Sequence, residues 1–183
     1  GSGYAAFFLH KDRALLDKWL ADSASWFGRF PYMDTEAEQK TDRVLTYNAT
    51  TAISCYLGDA PNRNRWLNFC AVSYEGLRGE DFGALVWDAG PDLLRVALYN
   101  FTDQPLAGLM RLWRLDHGRY RVRAGPDGDD DGEMDTTSED RVMELQRYSP
   151  VPLALPPKRV TVIRIEQTEK LDDLLARADL ALS

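Results

Sequence analysis

Between Gly125 and Asp135 the chain reads GPDGDDDGEMD, which crowds the carboxylates of Asp127, Asp129, Asp130, Asp131, Glu133 and Asp135 into one short stretch. Two like charges 4 Å apart repel by roughly 1 kcal/mol in water and about 4 kcal/mol near a protein surface. Such a run calls for a counter-charge. Asp127, Asp129 and Asp131 followed by Gly132 have the spacing of the first half of a calcium loop. Alternate residues turn oxygens inward, the glycine permits the sharp bend, Glu133 offers its backbone carbonyl, and Asp135 falls where a water-mediated ligand is expected. The twelfth position is Ser138 and Glu139 lies one step later, so the bidentate glutamate that closes an EF-hand is out of place. The flanking segments also alternate as strands do, which leaves a structural Ca2+ loop inserted in a β-hairpin. Its candidate ligands are Asp127, Asp129, Asp131, Glu133 and Asp135. Magnesium, with its stricter octahedron, fits less well. The competing reading is a solvated acidic turn.

Other residues could bind or transform a ligand. Trp87, Trp113 and Tyr120, with Tyr99 and Tyr148, fall on expected strands, where exposed rings would stack on sugars. The first three are the candidate carbohydrate-binding residues, although aromatic side chains more often fill cores. His10, in FFLHKD, could join Tyr47 and Asn48 in a lyase-like proton transfer, but a lone histidine on an apolar segment is usually packed. Glu36, Glu38 and Asp42 stand at a helix start, where carboxylates favour the positive end of the dipole. No catalytic residue is assigned, and a remnant of a glycoside hydrolase or polysaccharide lyase site is the weaker alternative. Asn48-Ala49-Thr50 and Asn100-Phe101-Thr102 satisfy the glycosylation triplet.

Bulk features narrow the partners. In 183 residues, 22 Lys and Arg stand against 29 Asp and Glu for a net charge of −7. This disfavours nucleic acid and anionic membrane surfaces, which need clustered cations. No apolar run approaches the length of a membrane-spanning helix. With two cysteines (Cys55 and Cys70), two histidines and no Cys-x-x-Cys, a zinc site is improbable. Buried free thiols are expected, a disulfide stays open, and an extracytoplasmic location is favoured.

The elements that would position these residues change character part-way along the chain. Leu15, Leu16, Trp19, Leu20, Ser23, Trp26 and Phe27 recur at helical spacing behind Asp12, a suitable N-cap. Thr35 and Glu38 form a capping box for a second helix that runs through Val44, Leu45 and Tyr56 to Gly58. Pro61 opens a third, through Trp66, Leu67, Phe69, Val72 and Tyr74 to Gly76. Trp19, Trp26, Tyr56 and Trp66 are expected to line the contact among the helices or with the sheet. From Phe82 onward the period is two, with six strands predicted at 84–88, 93–101, 107–115, 119–124, 141–148 and 158–167. The expected organisation is α+β: antiparallel helices over 1–80, a small antiparallel β-sandwich over 81–167, and a helical tail or linker over 168–183. The opening GSGYAAFF and the amphipathic close KLDDLLARADLALS suggest a fragment of a longer polypeptide.

Over residues 83–167 the strand and turn pattern resembles the small C-terminal β-sandwich that follows the catalytic domain in many glycoside hydrolases. Leu98-Tyr99-Asn100-Phe101-Thr102-Asp103 matches that domain's apolar strand ending in NF-[ST]-[DN]. Leu155-Pro156-Pro157 ahead of Val160-Thr161-Val162 matches its closing corner and strand. The resemblance implies a non-catalytic accessory region, with the catalytic domain of the same parent polypeptide as partner. A polysaccharide-binding module is the alternative.

Overall fold

The computed structural model describes residues 3–29, 55–58 and 70–171. The chain divides into two compact units between Phe69 and Cys70. In the first, α1 (Gly3–His10) and α2 (Arg13–Arg29) are separated by Lys11 in the left-handed region, φ 53°. The Leu15 amide donates to Asp12 Oδ1 at 3.3 Å, the N-cap expected from the sequence. Tyr4, Phe7 and Leu16 are buried, whereas Trp19 is 40% exposed. Residues 55–57 are helical and stop at Gly58, whose φ is 73°. The Thr35–Glu38 capping box, most of the second and third expected helices, Trp66 and the Trp26 side chain lie outside what is described. Cys55 and Cys70 are free thiols. Burial pushes the Cys55 thiol up to about 12, which makes it a poor nucleophile at neutral pH.

The second unit is an antiparallel β-sandwich. Its strands are β1 (Val72–Glu75), β2 (Phe82–Ala89), β3 (Leu93–Asn100), β4 (Leu106–Leu112), β5 (Gly118–Asp127), β6 (Glu139–Leu145), β7 (Pro150–Leu155) and β8 (Val160–Lys170). They form a three-stranded sheet ordered β1-β4-β7 and a five-stranded sheet ordered β2-β3-β8-β5-β6. Burial alternates along the strands, with Leu94, Val96 and Leu98 of β3 and Val151, Leu153 and Leu155 of β7 turned into the core.

The structure departs from the sequence pattern in three places. Val72 and Tyr74 belong to β1, not to a third helix, and pair with Leu112 and Met110 of β4. β8 continues to Lys170, paired with Gly118 of β5, so residues 168–170 are strand and not a tail. Residues 150–155 form a strand despite Pro150 and Pro152. Proline survives there because β7 is an edge. The Pro152 carbonyl accepts from Arg141 of β6 at 3.4 Å, so this residue's backbone faces away from β4. The missing N–H therefore removes no ladder bond.

The two stretches that resemble an accessory sandwich meet at one residue. Asn100 is fully buried. Its Nδ2 donates to the Leu155 carbonyl at 3.0 Å and the Gln104 carbonyl at 2.8 Å. Its Oδ1 accepts from the Thr102 amide and hydroxyl, both at 2.8 Å. The Asn100 carbonyl accepts from the Lys158 amide at 3.1 Å. One amide side chain thus ties the NFTD turn to the LPP corner. Asn100 is consequently no glycan acceptor in the folded chain.

Candidate metal centre

The end of β5 positions the acidic loop. Arg123 faces Arg164 of β8 and Gly125 faces Val162, so Asp127 lies on the outer face of the five-stranded sheet. The loop after it folds back onto that face, with the Asp135 amide donating to the Pro126 carbonyl at 2.9 Å and the Ser138 amide to the Ala124 carbonyl at 2.8 Å. A side chain on Gly125 would collide with the Thr136 backbone. Gly132, at φ 83°, rests on the Trp87 indole so closely that a methyl there would overlap the ring. This is the glycine the calcium-loop spacing requires, and the close approach adds a second reason for it.

Carboxylate oxygens of Asp127, Asp129 and Asp131 lie within 4.8 Å of one another. Asp127 Oδ2 accepts from the Gly132 amide at 2.9 Å, and Asp131 Oδ1 accepts from the Glu133 amide at 2.7 Å. Asp127 is only 5% exposed, and its Oδ1 is buried with no hydrogen-bond partner among the described residues. Folded proteins rarely leave a buried acceptor unmatched, and a buried anionic one still less often. Hard oxygen donors with one rigid member suit a hard divalent cation.

The carboxylates brought together are those of Asp127, Asp129 and Asp131; the Glu133 and Asp135 side chains go elsewhere. Asp135 turns back to accept from the Gly128 amide at 2.9 Å, closing the loop. The Glu133 carboxylate leaves the cluster for Arg95, with Arg164 at 3.4 Å. Arg95 also pairs with Asp88 at 2.9 Å and lies 5.2 Å from the Trp87 ring centre. Arg164 continues to Glu166 at 2.7 Å, which Arg123 also meets. Burial alone would raise the Glu166 carboxyl, but hydrogen bonds from Arg164 and Arg123 outweigh it and hold the group below its usual range. The arginines that seat the loop are invisible in its local sequence; only the cross-strand register of Arg95 with Arg164 places them there.

The expected sugar-binding rings separate. Trp87 is buried beneath the loop and Tyr120 is fully buried in the core, so neither offers a face to a sugar. The Tyr120 hydroxyl donates to the Asp116 carbonyl at 2.8 Å and accepts from Gln167 at 3.0 Å; burial pushes it up to about 12. Trp113 is half-buried, donating to Ser73 Oγ at 2.9 Å. His10 is exposed, while Tyr47, Asn48, Glu36, Glu38 and Asp42 fall outside the described residues.

No family model and no curated protein sequence matches the chain. Among solved structures it is similar to a monomeric β-xylosidase from Caulobacter crescentus CB15, with 14% identity over 50% of this chain and a TM-score of 0.35. It is also similar to a xyloglucanase of glycoside hydrolase family 44 from Paenibacillus polymyxa, with 13% identity over 55% of this chain and a TM-score of 0.31. The matches span 27% and 17% of those two chains.

Proposed function

We propose that the β unit is a non-catalytic, cation-stabilised sandwich serving a larger carbohydrate-processing protein, with its catalytic domain on the same polypeptide. Calcium is the proposed ion, held by Asp127, Asp129 and Asp131, and its role is structural: it clamps the loop over Trp87. The observation that carries the cation is the Asp127 carboxylate, whose buried Oδ1 has no hydrogen-bond partner among the described residues and which lies together with two further carboxylates within 4.8 Å. The sequence likeness of the Asn100 turn and the Leu155 corner to accessory sandwiches supports the carbohydrate setting.

Thermal melts test it. At 100 times the dissociation constant, an ion bound only by the folded state adds roughly 2.7 kcal/mol, or about 5–15 °C for a domain of this size. Calcium should raise the melting temperature by that order, a chelator should reverse the rise, and equal magnesium should do less. Equal melting temperatures in calcium and in chelator would remove the cation from the proposal.

A further inference from the structure

We infer that the outer face of the three-stranded sheet carries a binding site for a neutral sugar ring, built on Tyr148 and Trp113. It rests on the carbohydrate part of the reading above and is independent of the cation loop.

Tyr148 occupies the third position of the turn between β6 and β7, where the Ser149 amide donates to the Gln146 carbonyl at 3.0 Å. Its φ is 75°, a conformation that such a turn normally gives to glycine or asparagine. A tyrosine held there is strained, and strain of this kind collects at ligand sites. Lys158, at φ 53° in the next turn, has a local reason, since its ammonium donates to the Phe101 carbonyl. Tyr148 instead sends its ring outward, 54% exposed.

The ring's surroundings are built. Trp113 meets it edge to face, with centres 5.0 Å apart and planes at 75°, and Ser73 Oγ fixes the indole. The backbone beneath is pinned by the Tyr148 amide donating to the Leu112 carbonyl at 2.7 Å and by Arg111 Nη1 donating to the Tyr148 carbonyl at 2.9 Å. Arg111 also forks onto Glu75 through bonds of 2.5 and 2.9 Å. That hydrogen-bonded pair holds the Glu75 carboxyl below its usual range. The floor beside the rings is thus polar, with Arg111 and Glu75 matched to each other, and the Arg147 guanidinium lies 5.3 Å from the Tyr148 ring centre. A pyranose has a C–H face for the exposed side of the aromatic ring and hydroxyls for flanking donors and acceptors, the Arg147 guanidinium among them.

The test titrates the full chain with cellohexaose and xylohexaose, in calcium and in chelator, by calorimetry and by the NMR signal of the Trp113 indole N–H. One of these should bind and shift that signal. Tyr148→Gly and Tyr148→Asn, which relieve the backbone, should weaken binding roughly tenfold or more while leaving the melting temperature equal or higher. Phe101→Ala, at an exposed ring on the other sheet, should change nothing. The inference falls if neither sugar binds, if both Tyr148 variants bind like wild type, or if both lower the melting temperature, since the ring is then packing alone. Because the calcium-dependent melt is read on the same samples, loss of sugar binding with that shift intact overturns this site and leaves the cation reading standing.

Discussion

Asn100→Asp is expected to destabilise the β-sandwich by about 3–5 kcal/mol, although it changes one atom. The amide nitrogen now donates to the Leu155 and Gln104 carbonyls. A carboxylate oxygen in its place leaves both without that donor and confronts them with negative charge at hydrogen-bond distance. The Leu155 carbonyl is the buried one, and its loss of this donor costs about 1–3 kcal/mol, whereas the Gln104 carbonyl keeps the Thr102 hydroxyl; burial disfavours the ionised carboxylate further. The substituted group therefore takes up its proton more readily folded than unfolded. Its folded pKa is raised, so the damage is greatest at neutral pH and shrinks as pH falls toward that value. Asn100→Ala removes the same bonds without a charge and should cost about 3 kcal/mol with no added pH dependence. Urea melts at pH 5 and pH 8 separate the two variants. A loss below about 1 kcal/mol for either would mean the corner is held by something else.

Gly132→Ala should cost about 3 kcal/mol and also weaken the cation site. A left-handed alanine alone costs roughly 1–2 kcal/mol, and its methyl would enter the Trp87 indole. That ring cannot easily yield, being 8% exposed and placed at the bulge between Val86 and Asp88. The loop must lift instead, and the Gly132 amide that holds Asp127 Oδ2 lifts with it. Gly128→Ala is the control, since its methyl would meet only the Asp135 carboxylate at 3.1 Å. The expected result is a clear drop in melting temperature for the first and little for the second. Similar melts for both would show that the loop is not seated on Trp87.

How far the sequence was legible follows from the range of the forces involved. The convergence of Asp127, Asp129 and Asp131 was readable because a D-x-D-x-D-G run sets its own geometry. The side-chain partners of Glu133 and Asp135 were not, because they are chosen by the fold: Arg95 and Arg164 come from β3 and β8, and the Gly128 amide is available only once the loop closes. Trp87 stood open between a sugar-binding ring and core packing because nothing in 84–88 announces that a loop some forty residues later folds over it. The Asp12 cap and the Gly58 stop were local and readable. β1 was misread because a four-residue strand is too short to set its own period, and the apolar residues preceding it prolonged a helical one. β7 was hidden by prolines that are harmless only at a sheet edge, and edge position is a property of topology. The NFTD and LPP stretches stood out as patterns, and the Asn100 side chain supplies the physical link between them.

The cation is the centre of this account, and calorimetric titration of calcium into the metal-free chain tests it most directly. One ion should bind per chain. Asp127→Asn, which keeps an oxygen for the Gly132 amide but removes the charge, should abolish binding. Asp130→Asn, outside the cluster and with φ at 60°, should leave it unchanged. No saturable binding at millimolar calcium, or equal affinity in the two variants, would contradict the site.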